Sequence, residues 1–327
     1  MGNVPAKGLV RCFRPDNYYY LPNKLSMPQP PGSLAVAAAY FLIYVVWGST
    51  YYFIGVCLHD FPPFMLGTVR FAVAGLALLA VCRLRGERLL RRVLIFKSAV
   101  CGIILLFVDQ GVIMFAQRYV SSSLVAIMAS STALWIMLLD VPQWRRNFRS
   151  VSTVAGIVLG FLGVAMLYLE QLNMQRPGGS HYEYGVLLLI GGCISWACGT
   201  LYSKYHIRDN GDEGGLSSSA WQMLGAGVVF ALCAGLSGDF SSLQLSAVSA
   251  VSWLSLAYLI VFGSMMAYTA YIWLLRVRPA TEVATHAYVN PVVAVVIGAG
   301  LGHEDVTLIQ LAGLAVILIS VMMVNRK

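Results

Sequence analysis

Apolar stretches of about 20 residues follow one another along most of the chain, and the short segments between them carry most of the charged residues. An α-helix needs about 20 apolar residues to cross the hydrocarbon core of a bilayer, so each stretch predicts one membrane-spanning helix. The pattern predicts an all-α integral membrane protein with ten transmembrane helices. We place these helices at residues 34–55, 64–82, 94–116, 122–140, 152–169, 185–203, 219–236, 252–275, 281–301 and 307–324.

Composition points to the same class of protein. Hydrophobic residues make up 58% of the chain and charged residues only 11%, whereas a soluble protein is about one quarter charged. The chain has too few charges to cover a soluble surface, so we expect the lipid bilayer to be its environment. The net charge of +8 does not indicate a nucleic-acid partner, because no basic run interleaved with aromatic residues occurs outside the spans.

Motifs that would indicate a cofactor are missing from the sequence. The seven cysteines form no CxxC pair, and there is no phosphate-binding loop, dinucleotide fingerprint or HExxH motif. We therefore predict no metal site, no other cofactor and no catalytic residues. The expected ligands are a small-molecule substrate and, as a second candidate, protons.

The distribution of basic residues predicts the topology. With the amino terminus in the cytoplasm, 19 of the 22 Lys and Arg residues fall on the cytoplasmic side, while Arg118 and Arg176 fall opposite and Arg70 lies within a span. This asymmetry predicts that both termini are cytoplasmic. Residues 1–33 are rich in proline and lack the apolar region of a signal peptide, so we predict a disordered cytoplasmic tail. The alternative is that synthesis starts at Met27.

Short blocks recur in the same order in the two halves of the chain. The matching pairs are 47–51 with 196–202, 123–129 with 281–287, and 155–156 with 312–313. Each half holds five spans, an odd number, so the halves insert in opposite orientations. The pattern predicts two inverted five-helix repeats, residues 34–169 and 185–324, with a substrate site near the midplane between them.

The ninth span carries the polar stripe that is most suggestive of a substrate path. Glu282, His286 and Asn290 recur at i, i+4 and i+8, so they share one face of a helix. Because an ionisable group in hydrocarbon costs roughly 2.5–3.5 kcal/mol, we expect this face to line a path for substrate or ions. Pro291 follows and predicts a kink. The alternatives are an ion pair between Glu282 and Arg278, and helix–helix hydrogen bonds from His286 and Asn290.

The third span holds a second candidate pair, Asp109 and Gln110. An Asp inside a membrane needs a cation, a proton or a buried partner, and a structural pair with Arg70 is the alternative to a role in the pathway.

Aromatic and small residues in the spans supply weaker signals. Trp47 and Tyr51 are candidates for stacking on a substrate, or else form ordinary core. Trp196, Tyr202, Tyr268 and Tyr271 are further aromatic candidates. Gly156 and Gly160 form a GxxxG pattern, which predicts close helix packing, with a homodimer contact as the alternative.

Several of these residues also carry a family resemblance. They belong to the blocks 47–51, 61–63 and 70–71 in the first half and 278–281, 287–294 and 302–304 in the second. On these blocks the chain resembles the EamA branch of the drug/metabolite transporter superfamily, and within it the YedA-type permeases, over about residues 34–324. The resemblance implies ten helices in two inverted repeats, a bacterial inner-membrane location, and export or exchange of small metabolites, often amino acids or amphiphilic drugs.

One loop departs from the family pattern. The family often has a Gly-Glu turn after the fourth helix, but residues 139–142 read Leu-Asp-Val-Pro here, so we expect this loop to make a different contact.

The leading hypothesis is a secondary transporter, or permease, that moves small metabolites by alternating access. Its driving force would be the substrate gradient, or proton exchange through Glu282 or Asp109. One alternative is a non-transporting membrane sensor or assembly subunit. A lipid-modifying enzyme is a further alternative, but the acidic residues are scattered over different helices, so we do not expect an enzyme.

Overall fold

The computed structural model of the protein describes residues 32–87, 89–173, 182–207 and 215–325. Within these ranges nine helices are long and apolar enough to cross a membrane, and a tenth has a shorter apolar stretch, Leu308–Met323. Their bounds fall within four residues of the predicted ones. The helices are α1 Ser33–Cys57, α2 Pro63–Leu84, α3 Arg92–Ala116, α4 Ser122–Leu139, α5 Val151–Asn173, α6 Tyr182–His206, α7 Leu216–Ser237, α8 Ala250–Val277, α9 Ala280–Leu301 and α10 Leu308–Asn325.

Nearly all of the predicted tail, and the alternative start at Met27, lie outside the described residues.

The main helix–helix contacts have equivalents in which each helix is replaced by its counterpart from the other half of the chain. Helix α2 packs on α7, α4 on α9, and α5 on α10, so each of these pairs joins a helix to its counterpart in the other half. The contact of α1 with α9 is matched by that of α6 with α4, and the contact of α3 with α6 is matched by that of α8 with α1. This exchange symmetry is the arrangement expected for two five-helix repeats, α1–α5 and α6–α10.

The outside of the bundle is apolar and much of its inside is polar. Leu76, Leu162, Leu232 and Val296 are each between 60% and 66% exposed, on four different helices. Arg70 and Asp109 are buried instead, together with Gln222, Asn290 and many hydroxyl groups. A water-soluble fold would reverse this distribution, and lipid is the solvent that favours it.

Glycines allow the closest approaches between helices. A Cβ at Gly102 on α3 would collide with the backbone of Gln222 on α7, and one at Gly313 on α10 would lie 2.6 Å from Leu167 on α5. Lipid chains are as apolar as the helices, so close van der Waals packing supplies much of the association energy. Gly160, from the predicted GxxxG pattern, faces Leu134 and Ser320 of the same chain.

Five of the ten helices contain an interruption of the regular α-helical hydrogen bonding. Helices α1, α3 and α8 contain π-helical segments at Leu42–Val46, Ile103–Val108 and Leu259–Tyr268. Helix α4 is interrupted at Ser130 and Ser131, and α9 at Ala284 and Thr285. Helices α3 and α8 occupy equivalent positions in the two repeats, as do α4 and α9.

The interruption in α9 lies before Pro291, the residue at which the sequence predicts a kink. Pro291 sits inside the continuous α-helical piece His286–Leu301. The helix is interrupted earlier, where Thr285 N bonds to Glu282 O at 3.2 Å and Thr285 Oγ1 donates to the same carbonyl at 2.6 Å. A threonine hydroxyl that bonds back to its own helix bends that helix, so the tight turn forms at Thr285.

Candidate functional site

Seven helices contribute side chains to one cavity near the middle of the bundle, which we name the central cavity. Its empty space measures about 630 Å³, including the part that opens to the outside. Eight of the nine predicted site residues line it, and Glu282 is the one that does not. Helix α2 contributes as well, so Arg70, which we had considered structural, forms part of the wall. The eight are Trp47, Tyr51, Arg70, Asp109, Gln110, His286, Asn290 and Pro291.

An aromatic cluster forms one wall of the central cavity. Trp47 of α1 meets Trp196 of α6 edge to face, with 5.4 Å between ring centroids. These two residues begin the recurring blocks of the two repeats, so equivalent positions meet at the centre of the bundle. Tyr271 packs behind Trp47 at 5.0 Å and stacks on His286 at 5.6 Å. Tyr268 also lines the cavity, whereas Tyr202 stacks on His206 away from it.

The π-helical segments supply carbonyl groups that hold this wall in place. Trp47 Nε1 donates to Gly263 O in the π segment of α8 at 3.0 Å. In α3, Ile104 O accepts from Ser195 Oγ of α6 at 2.7 Å. A π turn departs from the regular i→i+4 ladder and leaves carbonyls available to neighbouring helices. The apolar sequence of these segments gave no signal of this role.

Asn290 forms hydrogen bonds with the π segment of α1. With its amide nitrogen facing α1, Asn290 donates to Tyr44 O at 2.8 Å and to Ile43 O at 2.9 Å. These bonds tie α9 to α1, which is the helix–helix role considered as an alternative for Asn290. The residue therefore both lines the central cavity and joins two of its helices.

The charged residues of the cavity are linked through Gln110. Arg70 Nη1 donates to Gln110 Oε1 at 3.1 Å, and Gln110 Nε2 donates to Asp109 Oδ2 at 3.0 Å. Arg70 Nε donates to Ser264 Oγ at 2.9 Å, and the guanidinium lies 4.9 Å from the centroid of the Phe71 ring. The expected link between Arg70 and Asp109 is thus indirect. Ser264 was missed because a lone serine in an apolar run resembles ordinary packing.

Two polar atoms in the cavity wall are left without a protein partner. Trp196 Nε1 and His286 Nδ1 are buried and have no hydrogen-bond partner among the described residues. A buried polar atom left unsatisfied costs about 1–3 kcal/mol, so such atoms are uncommon in native structures. Both residues border the central cavity, where a polar ligand or water can supply the missing hydrogen bond.

Glu282 lies apart from the cavity, at the end of the bundle where α9 begins. Its Oε1 accepts from the Tyr40 hydroxyl at 3.0 Å and lies 3.7 Å from Arg278 Nε, and its side chain is 43% exposed. The tight turn at Thr285 advances about 120° per residue instead of about 100°, so Glu282 leaves the stripe shared by His286 and Asn290. This is the ion pair that we considered as the alternative for Glu282.

A second cavity, which we name the vestibule, lies at the opposite end. Its empty space measures about 1100 Å³, and its lining includes Tyr52, Gln117, Arg118 and Glu304. Gln117 Nε2 donates to the carbonyl of Tyr51 at 3.0 Å. Because the Tyr51 side chain lines the central cavity, this residue lies between the two cavities.

Glu304 makes the most extensive polar contact of the vestibule. Its carboxylate accepts from the backbone N–H of Ser122 at 3.1 Å and of Ser123 at 2.9 Å, and from both hydroxyls at 2.5 Å. It thereby caps the start of α4. The sequence motif at 302–304 contributed to the family resemblance, but nothing in it identified the distant partner.

The loop after α4, which differs from the family pattern, makes a contact with α6. Its Asp140 Oδ1 accepts a hydrogen bond from the Tyr205 hydroxyl at 2.8 Å.

The chemistry of the central cavity is that of binding. It combines aromatic rings, one cation, one carboxylate and several amide and hydroxyl groups. Over the described ranges, no three His, Cys, Asp or Glu side chains come close enough to hold a metal ion.

Comparison with known proteins places this architecture in a family. Residues 34–169 and 183–326 each match the EamA-like transporter family. The chain belongs to this family. The two matches fall one in each half of the EamA-like chain, in agreement with the paired packing of its helices.

Relatives of this EamA-like protein are named as transporters. It is 34% identical to the inner membrane transporter YedA of Escherichia coli K12, over 89% of this chain and 91% of YedA. It is 28% identical to the transporter YvbV of Bacillus subtilis, over 92% of this chain and 94% of YvbV. It is 27% identical to a probable amino-acid metabolite efflux pump of Salmonella typhimurium, over 85% and 90% of the two chains.

A solved structure has the same fold. One crystal structure superposes with a TM-score of 0.64 at 18% identity, over 90% of this chain and 97% of the other.

The family and the named relatives together show the general activity. The EamA-like chain is a multi-pass membrane transporter of the inner membrane, and its relatives are transporters and efflux pumps and not enzymes.

Proposed function

We propose that this protein is a secondary transporter that moves small metabolites, such as amino acids or amphiphilic compounds, across the inner membrane by alternating access. The observation that carries the proposal is the position of the central cavity. Its lining comes from α1–α4 of the first repeat and from α6, α8 and α9 of the second. A site between two repeats can face either side of the membrane in turn when one repeat moves against the other.

Contacts at the two ends of the bundle support alternating access. Where α9 begins, the Tyr44 hydroxyl contacts Thr285 Oγ1 at 2.7 Å, next to the bond between Tyr40 and Glu282. Lys204 Nζ of α6 donates to Leu275 O of α8 at 2.7 Å nearby. We name this end the Glu282 end. The opposite end carries the vestibule. In the proposal, the contacts of the Glu282 end hold that end together and break when the site opens toward it.

The proposed orientation follows from charge. The loops on the side of the Glu282 end carry most of the basic residues, so we place this end and both termini in the cytoplasm. The vestibule then faces the periplasm. The driving force in the proposal is a gradient of the substrate itself or of protons.

Counterflow in liposomes that contain only this protein tests the proposal. Liposomes loaded with unlabelled amino acids or small amphiphiles are expected to accumulate the matching labelled pool. Trp47→Ala and His286→Ala should strongly reduce accumulation at a fixed low substrate concentration, because they remove part of the cavity wall and weaken substrate binding, whereas the lipid-facing Leu232→Ala should not. If the protein is folded and inserted but accumulates none of the pools, the result contradicts the proposal and favours the alternative of a membrane sensor or assembly subunit.

A further inference from the structure

We propose that the central cavity recognises its substrate as a zwitterion, with Arg70 binding a carboxylate, Asp109 binding an ammonium group, and Gln110 holding these two charged side chains apart. The substrate class is then the α-amino acids with an apolar side chain, as opposed to amphiphilic cations or simple organic anions. This inference rests on the proposed transport function and adds the specificity-determining residues to it.

Arg70 retains a free donor that borders the cavity. The side chain is only 4% exposed, and its Nε and Nη1 donate to Ser264 and Gln110. Its Nη2 makes no hydrogen bond within the described residues. A guanidinium fixed at two nitrogens and stacked on Phe71 presents its third nitrogen in a set direction, which suits a carboxylate.

Asp109, which lines the same cavity, also retains a free acceptor. The side chain is 6% exposed, and Oδ2 accepts from Gln110. Its Oδ1 accepts no hydrogen bond from the described residues and faces α6 near Gly192. A buried carboxylate needs a cation or a proton, and no protein cation contacts this one within the described residues. An ammonium group satisfies it in both charge and hydrogen bonding.

Gln110 explains why the two protein charges do not neutralise each other. Its amide accepts from Arg70 through one atom and donates to Asp109 through the other, so it stands between the two charges. Each charge keeps one unused hydrogen-bonding atom. A direct Arg70–Asp109 pair would occupy both of these atoms and leave neither charge available to a ligand. The separated charges instead match the two ends of a zwitterion.

The remainder of the cavity wall suits the rest of an amino acid. Trp47, Trp196 and Tyr268 present ring surface for an apolar side chain. The unpartnered Trp196 Nε1 and His286 Nδ1 lie in the same wall. The indole N–H can donate to the bound carboxylate, and an unprotonated His286 Nδ1 can accept from the ammonium group.

Binding to the purified full chain in detergent tests the inference independently of transport. Each of the twenty protein amino acids is first tested by thermal shift. The tightest binder is then compared by calorimetry with its amide, which lacks the carboxylate, and with its des-amino acid, which lacks the ammonium group. We expect the amino acid to bind about tenfold tighter or more than either analogue, because each analogue loses a charge-assisted hydrogen bond.

Three variants assign the charges to the residues. Asp109→Asn should remove the preference for the amino acid over the des-amino acid and preserve the preference over the amide. Arg70→Gln should do the reverse, and Arg70→Lys, which keeps the charge, should restore part of it. Gln110→Leu should weaken both preferences because Arg70 and Asp109 can then pair. Asp60→Asn, which removes a carboxylate outside the cavity, should change neither.

Defined outcomes overturn the inference. It is wrong if no amino acid binds, if the analogues bind as well as the parent, or if Asp109→Asn weakens all three ligands equally. It is also wrong if Asp109→Asn abolishes only pH-driven flux and leaves the binding preferences and counterflow intact, which would make Asp109 a proton carrier. Selective binding without flux in liposomes would support the recognition site and contradict the transport proposal, so the two failures are distinguishable.

Discussion

Single carboxylates in this protein take different roles according to their surroundings. Asp109 faces the central cavity and Glu282 is half-exposed beside Arg278. Asp60, in the loop between α1 and α2, accepts from the Ser249 hydroxyl at 2.6 Å and from the Ser249 backbone N–H at 3.0 Å. Hydrogen bonds from Ser249 and Ser252 lower the pKa of Asp60 to about 2. The same chemical group thus borders a cavity, lies beside an arginine at one end of the bundle, or attaches a loop.

The low pKa of Asp60 predicts a pH-dependent contribution to stability. A carboxylate with a depressed pKa stabilises the folded state above its unfolded pKa of about 3.9 and loses this effect as pH falls through about 2. We expect Asp60→Asn to lower the Tm in detergent at neutral pH and the difference from the parent protein to shrink between about pH 4 and pH 2. A Tm difference that stays constant over that range would contradict the assignment.

The exposed position of Glu282 predicts an effect on rate and little on affinity. Glu282→Gln removes the ion pair with Arg278 but keeps an acceptor for Tyr40. A partly exposed ion pair contributes about 0–1 kcal/mol, so we expect at most about a fivefold change in exchange rate and little change in KM. His286→Ala, in the cavity wall, should raise KM by far more. Equal increases in KM for the two variants would place Glu282 in the binding site.

Helix ends and interruptions are the elements that shape the site. The π segments of α1, α3 and α8 each accept a side-chain hydrogen bond from another helix, and the tight turn of α9 removes Glu282 from the polar stripe. Two helix starts, α4 and α8, are capped by carboxylates from distant loops, Glu304 and Asp60. A carboxylate at a helix start is favoured by the partial positive charge of the free N–H groups.

The cap on α4 predicts a measurable coupling energy. Glu304→Gln should destabilise the protein by about 1–3 kcal/mol, because charge-assisted hydrogen bonds are replaced by neutral ones. Combined with Ser123→Ala, the two changes should cost less than the sum of their separate effects in detergent unfolding. The exposed neighbour Asp305→Asn serves as the matched control and should have little effect. Strict additivity of Glu304→Gln and Ser123→Ala would show that the two residues do not interact.

At the scale of the whole molecule, the two repeats meet around one cavity and hold its two ends differently. At the Glu282 end, hydrogen bonds join α1 to α9 and α6 to α8, while the opposite end carries the vestibule. Transport by alternating access requires the contacts of the Glu282 end to break in each cycle.

Cross-linking α1 to α9 at the Glu282 end should therefore stop transport. Cys12, Cys198 and Cys233 are first replaced by serine, because the other native cysteines are buried. We expect Tyr40→Cys with Glu282→Cys, joined by a cleavable thiol reagent, to lose about tenfold or more of its exchange rate because the end cannot open. Reduction should restore the rate. The two variants that carry only one of the introduced cysteines, treated with the same reagent, are the controls. Full exchange by completely cross-linked protein would show that this end does not need to open.

Much of the architecture was predictable because lipid acts on each helix separately. A span must be apolar along its whole length whatever its neighbours are, so the ten helices were recognisable before any contact was known. The cost of placing Asp109 or His286 in hydrocarbon likewise marked these residues as inward-facing. The position of the turn in α9 was not predictable, because Thr285, and not Pro291, makes the bond that produces it.

The sequence by itself determined the class of protein, the number and limits of its helices, the repeat and most of the residues that face the interior. Only the tertiary structure decided that Arg70 belongs to the cavity wall, that Gln110 separates it from Asp109, and that Glu282 lies outside. Apolarity is a local property and can be read along the chain. The pairing of polar atoms depends on residues tens to hundreds of positions apart, such as Arg70 with Ser264, and is decided when the helices pack.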